Sequence, residues 1–262
     1  MKNYGSEWKR RTRSGEFILG GHVFLANPAI AEAMALFGYG YLWIDGEHSA
    51  YDKGDILAHI TAVNGAGAGA IVRVTANEPA LIKPVLEMGP DGIIVPMVNS
   101  AEEAAAFIST CTYPPNGTRG FGPRRANRYG VLSDTEYLST VDKALVKIIQ
   151  IEHKEGAGNI DSILEVPGID SVVIGPYDLS GSMGILGQLQ HPNLLSAYRH
   201  IVERCKARKI PCGVSIGPGN QEILNFWLGL KPDFLFCGDE LSFVKTGTEA
   251  TISKIKEMRN IY

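Results

Sequence analysis

Apolar, β-branched runs recur along the chain and alternate with stretches of helical period. The runs at Phe17–Phe24, Tyr41–Ile44, Ala70–Val74, Gly92–Val98, Leu145–Glu152, Ser171–Ile174, Cys212–Ile216 and Phe234–Cys237 read as buried strands. The intervening segments carry apolar stripes such as Ile30-Ala33-Met34-Phe37 and Leu81-Val85-Met88. The last three helices read as Leu194–Ala207, Asn220–Leu228 and Phe243–Arg259. Strands and helices in strict alternation predict the α/β class, and a closed (β/α)8 TIM barrel fits better than an open doubly wound sheet. Gly65-Ala66-Gly67-Ala68-Gly69 precedes a strand instead of opening a helix, so it reads as a turn and not as a dinucleotide-binding loop.

Nothing divides the 262 residues, which predict one barrel domain over 1–262 with an irregular stretch at about 113–132. That stretch, YPPNGTRGFGPRRANRYGVL, is too rich in proline and glycine for a regular helix and long for a loop. Its Arg119, Arg124, Arg125 and Arg128 suit either an anionic substrate or salt bridges, within the chain or to a neighbouring subunit. A net charge of −3 gives no reason to expect nucleic acid or an anionic membrane surface as partner. No apolar run approaches the roughly 20 residues of a membrane helix, and Met1–Ser14 lacks the apolar core of a signal peptide. Cys111, Cys205, Cys212 and Cys237 show no CxxC spacing, which suits reduced thiols in the cytoplasm.

Candidate chemistry collects just past the strands. Asp45, Glu47 and His48 follow the second, Arg73 ends the third, Glu152 follows the fifth and Asp178 the sixth. A barrel builds its site from the C-terminal ends of its strands, and charges gathered there need partners or a cation. Along the fifth strand, Ile148, Gln150 and Glu152 share one side while Lys147 takes the other. With no lysine facing inward near a strand end, imine chemistry loses ground. Two carboxylates without cysteine suit a hard cation such as Mg²⁺ or Mn²⁺; the alternative is that Glu152 pairs with Arg73. Arg73 suits a carboxylate or a developing enolate. His48 suits a general base, oriented by Glu47, Asp45 or Glu87. The other five histidines, His22 among them, read as structural, with His153 set apart because it adjoins Glu152. Gly175-Pro176-Tyr177-Asp178-Leu179-Ser180 opens a helix whose amides suit a carboxylate. Gly217-Pro218-Gly219-Asn220 reads as a turn with Asn220 as helix cap.

These residues resemble the metal-dependent class II pyruvate aldolases of the HpcH/HpaI type. The resemblance rests on Ile44-Asp45-Gly46-Glu47-His48, Val72-Arg73, Ile94-Val95-Pro96-Met97-Val98, Tyr113-Pro114-Pro115, Arg119-Gly120, Gln150-Ile151-Glu152 and Ile174-Gly175-Pro176-Tyr177-Asp178-Leu179-Ser180. It implies reversible cleavage of a 4-hydroxy-2-oxo acid to pyruvate and an aldehyde through a pyruvate enolate. It also implies that Glu152 and Asp178 hold Mg²⁺ or Mn²⁺, and that Gln150 and the backbone at Tyr177 and Asp178 hold pyruvate. Arg73 would stabilise the enolate, His48 would be the base with Glu87 supporting it, and the backbone near Ser215 would border the aldehyde. A last helix exchanged between subunits of a hexamer or trimer follows from the same resemblance. Three positions depart from the pattern: Tyr177 is large, His153 replaces a small hydroxyl residue, and Glu87 is longer than the usual Asp. Two other readings remain: an oxaloacetate decarboxylase or condensing enzyme using the same enolate, and a non-catalytic barrel that binds a keto acid.

Overall fold

A computed structural model describes residues 3–218 and 221–259. Eight strands form close to their expected spans: β1 (Ile18–Val23), β2 (Tyr41–Asp45), β3 (Gly69–Arg73), β4 (Gly92–Val95), β5 (Val146–Ile151), β6 (Ser171–Ile174), β7 (Cys212–Ile216) and β8 (Phe234–Asp239). All pairings are parallel and follow chain order, and β8 closes onto β1. The expected (β/α)8 barrel is the observed one. Helices α1 (Tyr4–Arg13), α2 (Pro28–Leu36), α3 (Lys53–Gly65), α4 (Pro79–Glu87), α5 (Ala101–Cys111), α6 (Asp134–Ala144), α7 (Lys154–Gly158), α8 (Ile160–Ile163), α9 (Pro176–Ser182), α10 (Pro192–Arg208), α11 (Gln221–Gly229) and α12 (Glu240–Arg259) surround or flank it. Local chemistry starts several of them. Asn27 caps α2 ahead of Pro28, Asp52 and Asp55 form a capping box on α3, and Ser100 caps α5. The expected cap Asn220 lies outside the described residues.

The strand pleat sorts side chains into two cores. Ile18, Tyr41, Trp43, Ile71, Ile94, Val146, Ile148, Val173, Phe234 and Phe236 fill the barrel itself. Residues of opposite parity, among them Ile44, Val72, Ile149, Ile151, Ile174 and Val214, pack under the helices. Lys147 points outward as the β5 parity requires, and its ammonium donates to Thr112 Oγ1 at 3.1 Å.

The N-terminal segment holds a helix that its polar composition concealed. Tyr4, Trp8 and Thr12, four residues apart, form the buried face of α1. Trp8 is fully buried, meets Tyr41 edge-on at 4.9 Å and donates its indole N–H to Ser171 Oγ at 3.1 Å. It stoppers the foot of the barrel, the end where the strands begin.

The 113–132 stretch also lies at the foot, because α5 runs back from the mouth before it. A 3₁₀ turn, Arg125–Gly130, gives it partial regularity. Arg125 Nη1 donates to the carbonyls of Met88 and Gly89, both at 3.0 Å, and Nη2 donates to Asn64 Oδ1 at 2.9 Å. Arg119 stacks over Tyr113 at 4.5 Å and donates to Leu86 O and to the Tyr137 hydroxyl. Both arginines therefore anchor the loop to its own chain, away from the mouth.

α12 leaves the barrel soon after β8. Glu240 is its only buried residue among those described, and Leu241, Phe243, Val244, Ile252, Ile255 and Met258 are exposed.

Candidate active site

The β2–β3 corner is built around one carboxylate. Asp45 closes β2, almost fully buried, and Oδ1 accepts the backbone N–H of Glu47 at 2.9 Å and of His48 at 3.0 Å. The same carboxylate takes Arg73 side-on: Nε donates to Oδ1 at 3.2 Å and Nη2 to Oδ2. Arg73 Nη1 lies 2.8 Å from Glu47 Oε2, and the guanidinium sits over the Trp43 ring at 5.1 Å. A guanidinium has five N–H donors. Two donate to Asp45 and Nη1 stands in ion-pair contact with Glu47, which fixes the plane of the group and leaves donors on Nη1 and Nη2 for a ligand.

Arg73 thus pairs with Asp45 and Glu47, not with Glu152. Burial raises the Glu47 carboxyl above its usual range, against the pull of Arg73 and His48. His48 is largely exposed, with Nε2 4.0 Å from Glu47 Oε2.

Facing this corner, β4 and β5 prepare the second carboxylate. β4 stops short of its expected end because Pro96 has no N–H to extend the ladder and Met97 turns left-handed at φ 56°. The turn brings the Met97 amide to Glu152, whose Oε1 accepts it at 2.8 Å; Oε2 accepts Gln150 Nε2. Burial pushes the Glu152 carboxyl up to about 7; the Met97 amide and Arg73 oppose the shift, while Glu47 and Asp178 add to it. Gly175 lets β6 pass close by: a Cβ there would stand 2.6 Å from Glu152 Oε2 and 2.8 Å from Gln150 Nε2. Asp178 follows in the first turn of α9.

Among the described residues no group of three or more His, Cys, Asp or Glu side chains offers a complete metal site. The donors present still fit a hard cation. Glu152 is a buried carboxylate that makes no salt bridge among the described residues, Asp178 adds a second carboxylate, and Gln150 Oε1 is buried without a hydrogen-bond partner. Two oxygen ligands with the remainder from water and substrate is how Mg²⁺ is commonly held.

A cavity of about 380 Å³ at the mouth is lined by Asp45, His48, Arg73, Gln150, Tyr177, Asp178 and Ser215, together with His22, Phe24 and Asp239. The structure therefore gathers His48, Arg73, Gln150, Tyr177, Asp178 and Ser215 as the sequence led us to expect, with Glu152 buried beside Gln150. Glu87 is the correction. It ends α4 at the foot of the barrel, where Oε1 lies 3.4 Å from Arg119 Nη2. Because α4 runs antiparallel to the strands, its last residue cannot support His48 within the same chain; Glu47 is the carboxylate beside that histidine. His153 faces away as a cap, accepting the Glu155 amide at 3.3 Å. Tyr177 stands half-exposed at the rim. His22 is the residue the sequence reading passed over. Ile18, Gly20 and His22 share the inward parity of β1, so the argument that placed Glu152 also places His22 at the mouth.

Comparison with known proteins agrees with this geometry. The family model described as HpcH/HpaI aldolase/citrate lyase matches residues 19–218. A 5-keto-4-deoxy-D-glucarate aldolase from Salmonella arizonae is 34% identical over 234 residues, spanning 89% of this chain and 90% of its own length. An HpcH/HpaI aldolase/citrate lyase family protein from Burkholderia cenocepacia superposes with a TM-score of 0.91 at 27% identity, over 96% of this chain and 99% of that one. A solved citrate synthase superposes with a TM-score of 0.84 at 29% identity, over 96% and 98%. With the strand-end charges, the barrel and a family match over most of the chain in agreement, the protein belongs to the HpcH/HpaI aldolase/citrate lyase family and is a carbon–carbon lyase.

Proposed function

We propose that the protein is a cytoplasmic class II aldolase that reversibly cleaves a 4-hydroxy-2-oxo acid to pyruvate and an aldehyde, with Glu152 and Asp178 holding Mg²⁺ or Mn²⁺. One observation carries the reading. A guanidinium with donors to spare, fixed by Asp45 and Glu47, shares a cavity with Gln150 and Asp178, beside a buried carboxylate that makes no salt bridge among the described residues. The bound cation would supply Lewis acidity to the oxygens of the 2-oxo acid.

The chain's own groups do the rest. The Tyr177 and Asp178 amides open α9, where helix N–H groups lack intrahelical partners, and with the Gln150 amide they hold the substrate carboxylate. Arg73 presents its remaining N–H groups to the 2-oxo oxygen, which turns negative as the C3–C4 bond breaks and its electron pair moves into the enolate. His48 takes the proton of the C4 hydroxyl as C4 becomes the aldehyde carbonyl. C3 is then protonated to give pyruvate, and synthesis runs the same steps backwards.

The four free cysteines, three of them buried, are compatible with a reducing compartment. The exposed apolar side chains of α12 support a homo-oligomer in which this helix packs on a second copy.

The test is pyruvate release from 4-hydroxy-2-oxo acids, with EDTA and then with Mn²⁺ or Mg²⁺ restored. Cation-dependent release is expected; release unaffected by EDTA contradicts the reading. The similarity to a solved citrate synthase keeps a second reading in view, in which an oxaloacetate enolate is formed or condensed at the same residues. Carbon dioxide release from oxaloacetate without cleavage of any hydroxy-oxo acid would favour it.

A further inference from the structure

The wall of the cavity formed by β1, β7 and β8 is polar, and its hydrogen-bond polarity is fixed. His22 is 4% exposed, held among Phe24, Trp43 and Phe236 with ring centroids 5.4 to 5.9 Å away. Its Nδ1 lies 3.2 Å from Gly238 O and its Nε2 lies 2.8 Å from Ser215 Oγ. A carbonyl only accepts, so the ring proton sits on Nδ1 and Nε2 is bare. The Ser215 hydroxyl must then donate to Nε2, and only its lone pairs remain for the cavity.

The backbone is bent to make this arrangement. β8 pairs with β1 in register until Phe236 stands opposite Gly20, then slips so that Asp239 stands opposite His22. The extra residue is Gly238, at φ 82°, where a Cβ would come within 2.6 Å of the Phe243 ring. A glycine bulge of this kind re-aims a ladder group at a site, and the group here is the carbonyl that accepts from His22. Burial also pushes the His22 imidazole down to about 4, so the ring stays neutral around pH 7.

The neighbours share this bias. Asp239 lines the cavity as an anion, accepting from the Ser242 amide at 2.8 Å and the Ser242 hydroxyl at 2.7 Å. Glu240 accepts the Phe24 and Leu25 amides behind it. Apart from the two histidines, Arg73 is the only basic side chain among the described residues lining the cavity, and it is already tied to Asp45 and Glu47.

We infer that the aldehyde partner is a neutral hydroxyaldehyde whose hydroxyl donates to Ser215, and that His22 is the positioning residue that makes Ser215 an acceptor and so disfavours a carboxylated aldehyde. The inference rests on the aldolase reading and narrows its substrate class. A carboxylate placed against this wall meets the Ser215 lone pairs and the Asp239 carboxylate, with no free side-chain donor among the described residues there to receive it.

The test uses the metal-loaded enzyme with pyruvate and three aldehydes: glycolaldehyde, acetaldehyde and glyoxylate. Intrinsic reactivities cancel when each variant's kcat/KM ratios are divided by those of the wild type. Ser215→Ala is expected to lower the glycolaldehyde-to-acetaldehyde ratio about fivefold, the scale of one net hydrogen bond. His22→Phe, which keeps an apolar ring in an aromatic nest, frees the Ser215 hydroxyl to donate. It is expected to lower the glycolaldehyde-to-glyoxylate ratio about fivefold. Nitrogen-15 NMR of wild-type His22 supplies a reading independent of any variant's folding, and a neutral Nδ1–H tautomer is expected at pH 7. An Nε2–H tautomer, or ratios unchanged in both variants while metal-dependent deuterium exchange into pyruvate persists, overturns the inference and leaves the aldolase reading intact. Absence of that exchange in the wild type overturns both.

Discussion

Two buried arginines, one at each end of the barrel, look alike on paper and do different work. Arg73 at the mouth and Arg119 at the foot are each nearly inaccessible, stacked on an aromatic ring and in contact with a carboxylate. Arg119 turns a single nitrogen, Nη2, to a helix-end carbonyl, a tyrosine hydroxyl and Glu87, which closes the loop onto α4, while its Nε is buried without a partner. Arg73 is gripped by two carboxylates on one side and open to a polar cavity on the other. The difference teaches that a buried charge marks a reaction site when carboxylates fix its position and the cavity it faces holds further polar groups. A buried charge whose contacts all go to its own loop and the helix beneath it marks structure.

Substitutions can break that contrast. The largest effect is expected from Asp178→Ala: with one carboxylate left, Mn²⁺ binding by calorimetry and aldol cleavage should both disappear, while the melting temperature in EDTA stays close to wild type. Arg73→Lys should remain folded and lose roughly 10²- to 10³-fold in kcat, the scale for removing one oxyanion donor. Full kcat in that variant would end the enolate role. His48→Ala should slow aldol cleavage about 10²-fold, the lower range for general acid–base catalysis of this kind. It should slow pyruvate proton exchange less, and equal losses would undo the assignment of the C4 hydroxyl proton to His48. At the foot, Arg119→Met should cost about 2–3 kcal/mol of stability in denaturant melts, from lost hydrogen bonds to a charged donor. The kcat of the folded fraction should be unchanged.

The smallest expected effect is a pH slope. Glu152 has its carboxyl raised from the ordinary 4.5 to about 7 in the folded chain. Between those values the folded state holds a proton that the unfolded state has released, so the metal-free protein loses stability as pH rises through the interval. Melting in EDTA should fall from pH 5 to pH 7.5, and Glu152→Gln should flatten the slope. Because a ligand carboxylate must be ionised, Mn²⁺ affinity should climb over the same range.

How much of this was legible in the sequence depends on which physical signal carries it. The strands were legible because burial on both faces makes them continuous apolar runs, and the parity of β5 placed Gln150 and Glu152 correctly. The early end of β4 was not, since it depends on Met97 taking a left-handed turn to reach Glu152. α1 was hidden because only four positions of a charged segment, Tyr4, Gly5, Trp8 and Thr12, turn inward. The position of Glu87 was not legible, since it depends on α4 ending at the foot of the barrel beside Arg119. His22 lay within reach of an argument applied to β5 and not to β1.

The most direct test of the central claim is deuterium incorporation into the methyl group of pyruvate, followed by NMR in the wild type and in Arg73→Lys, with EDTA and then with Mn²⁺ or Mg²⁺. The account predicts exchange that needs the cation and falls at least about 10²-fold in the variant. Exchange that survives EDTA, or that proceeds equally well without the arginine, would contradict it.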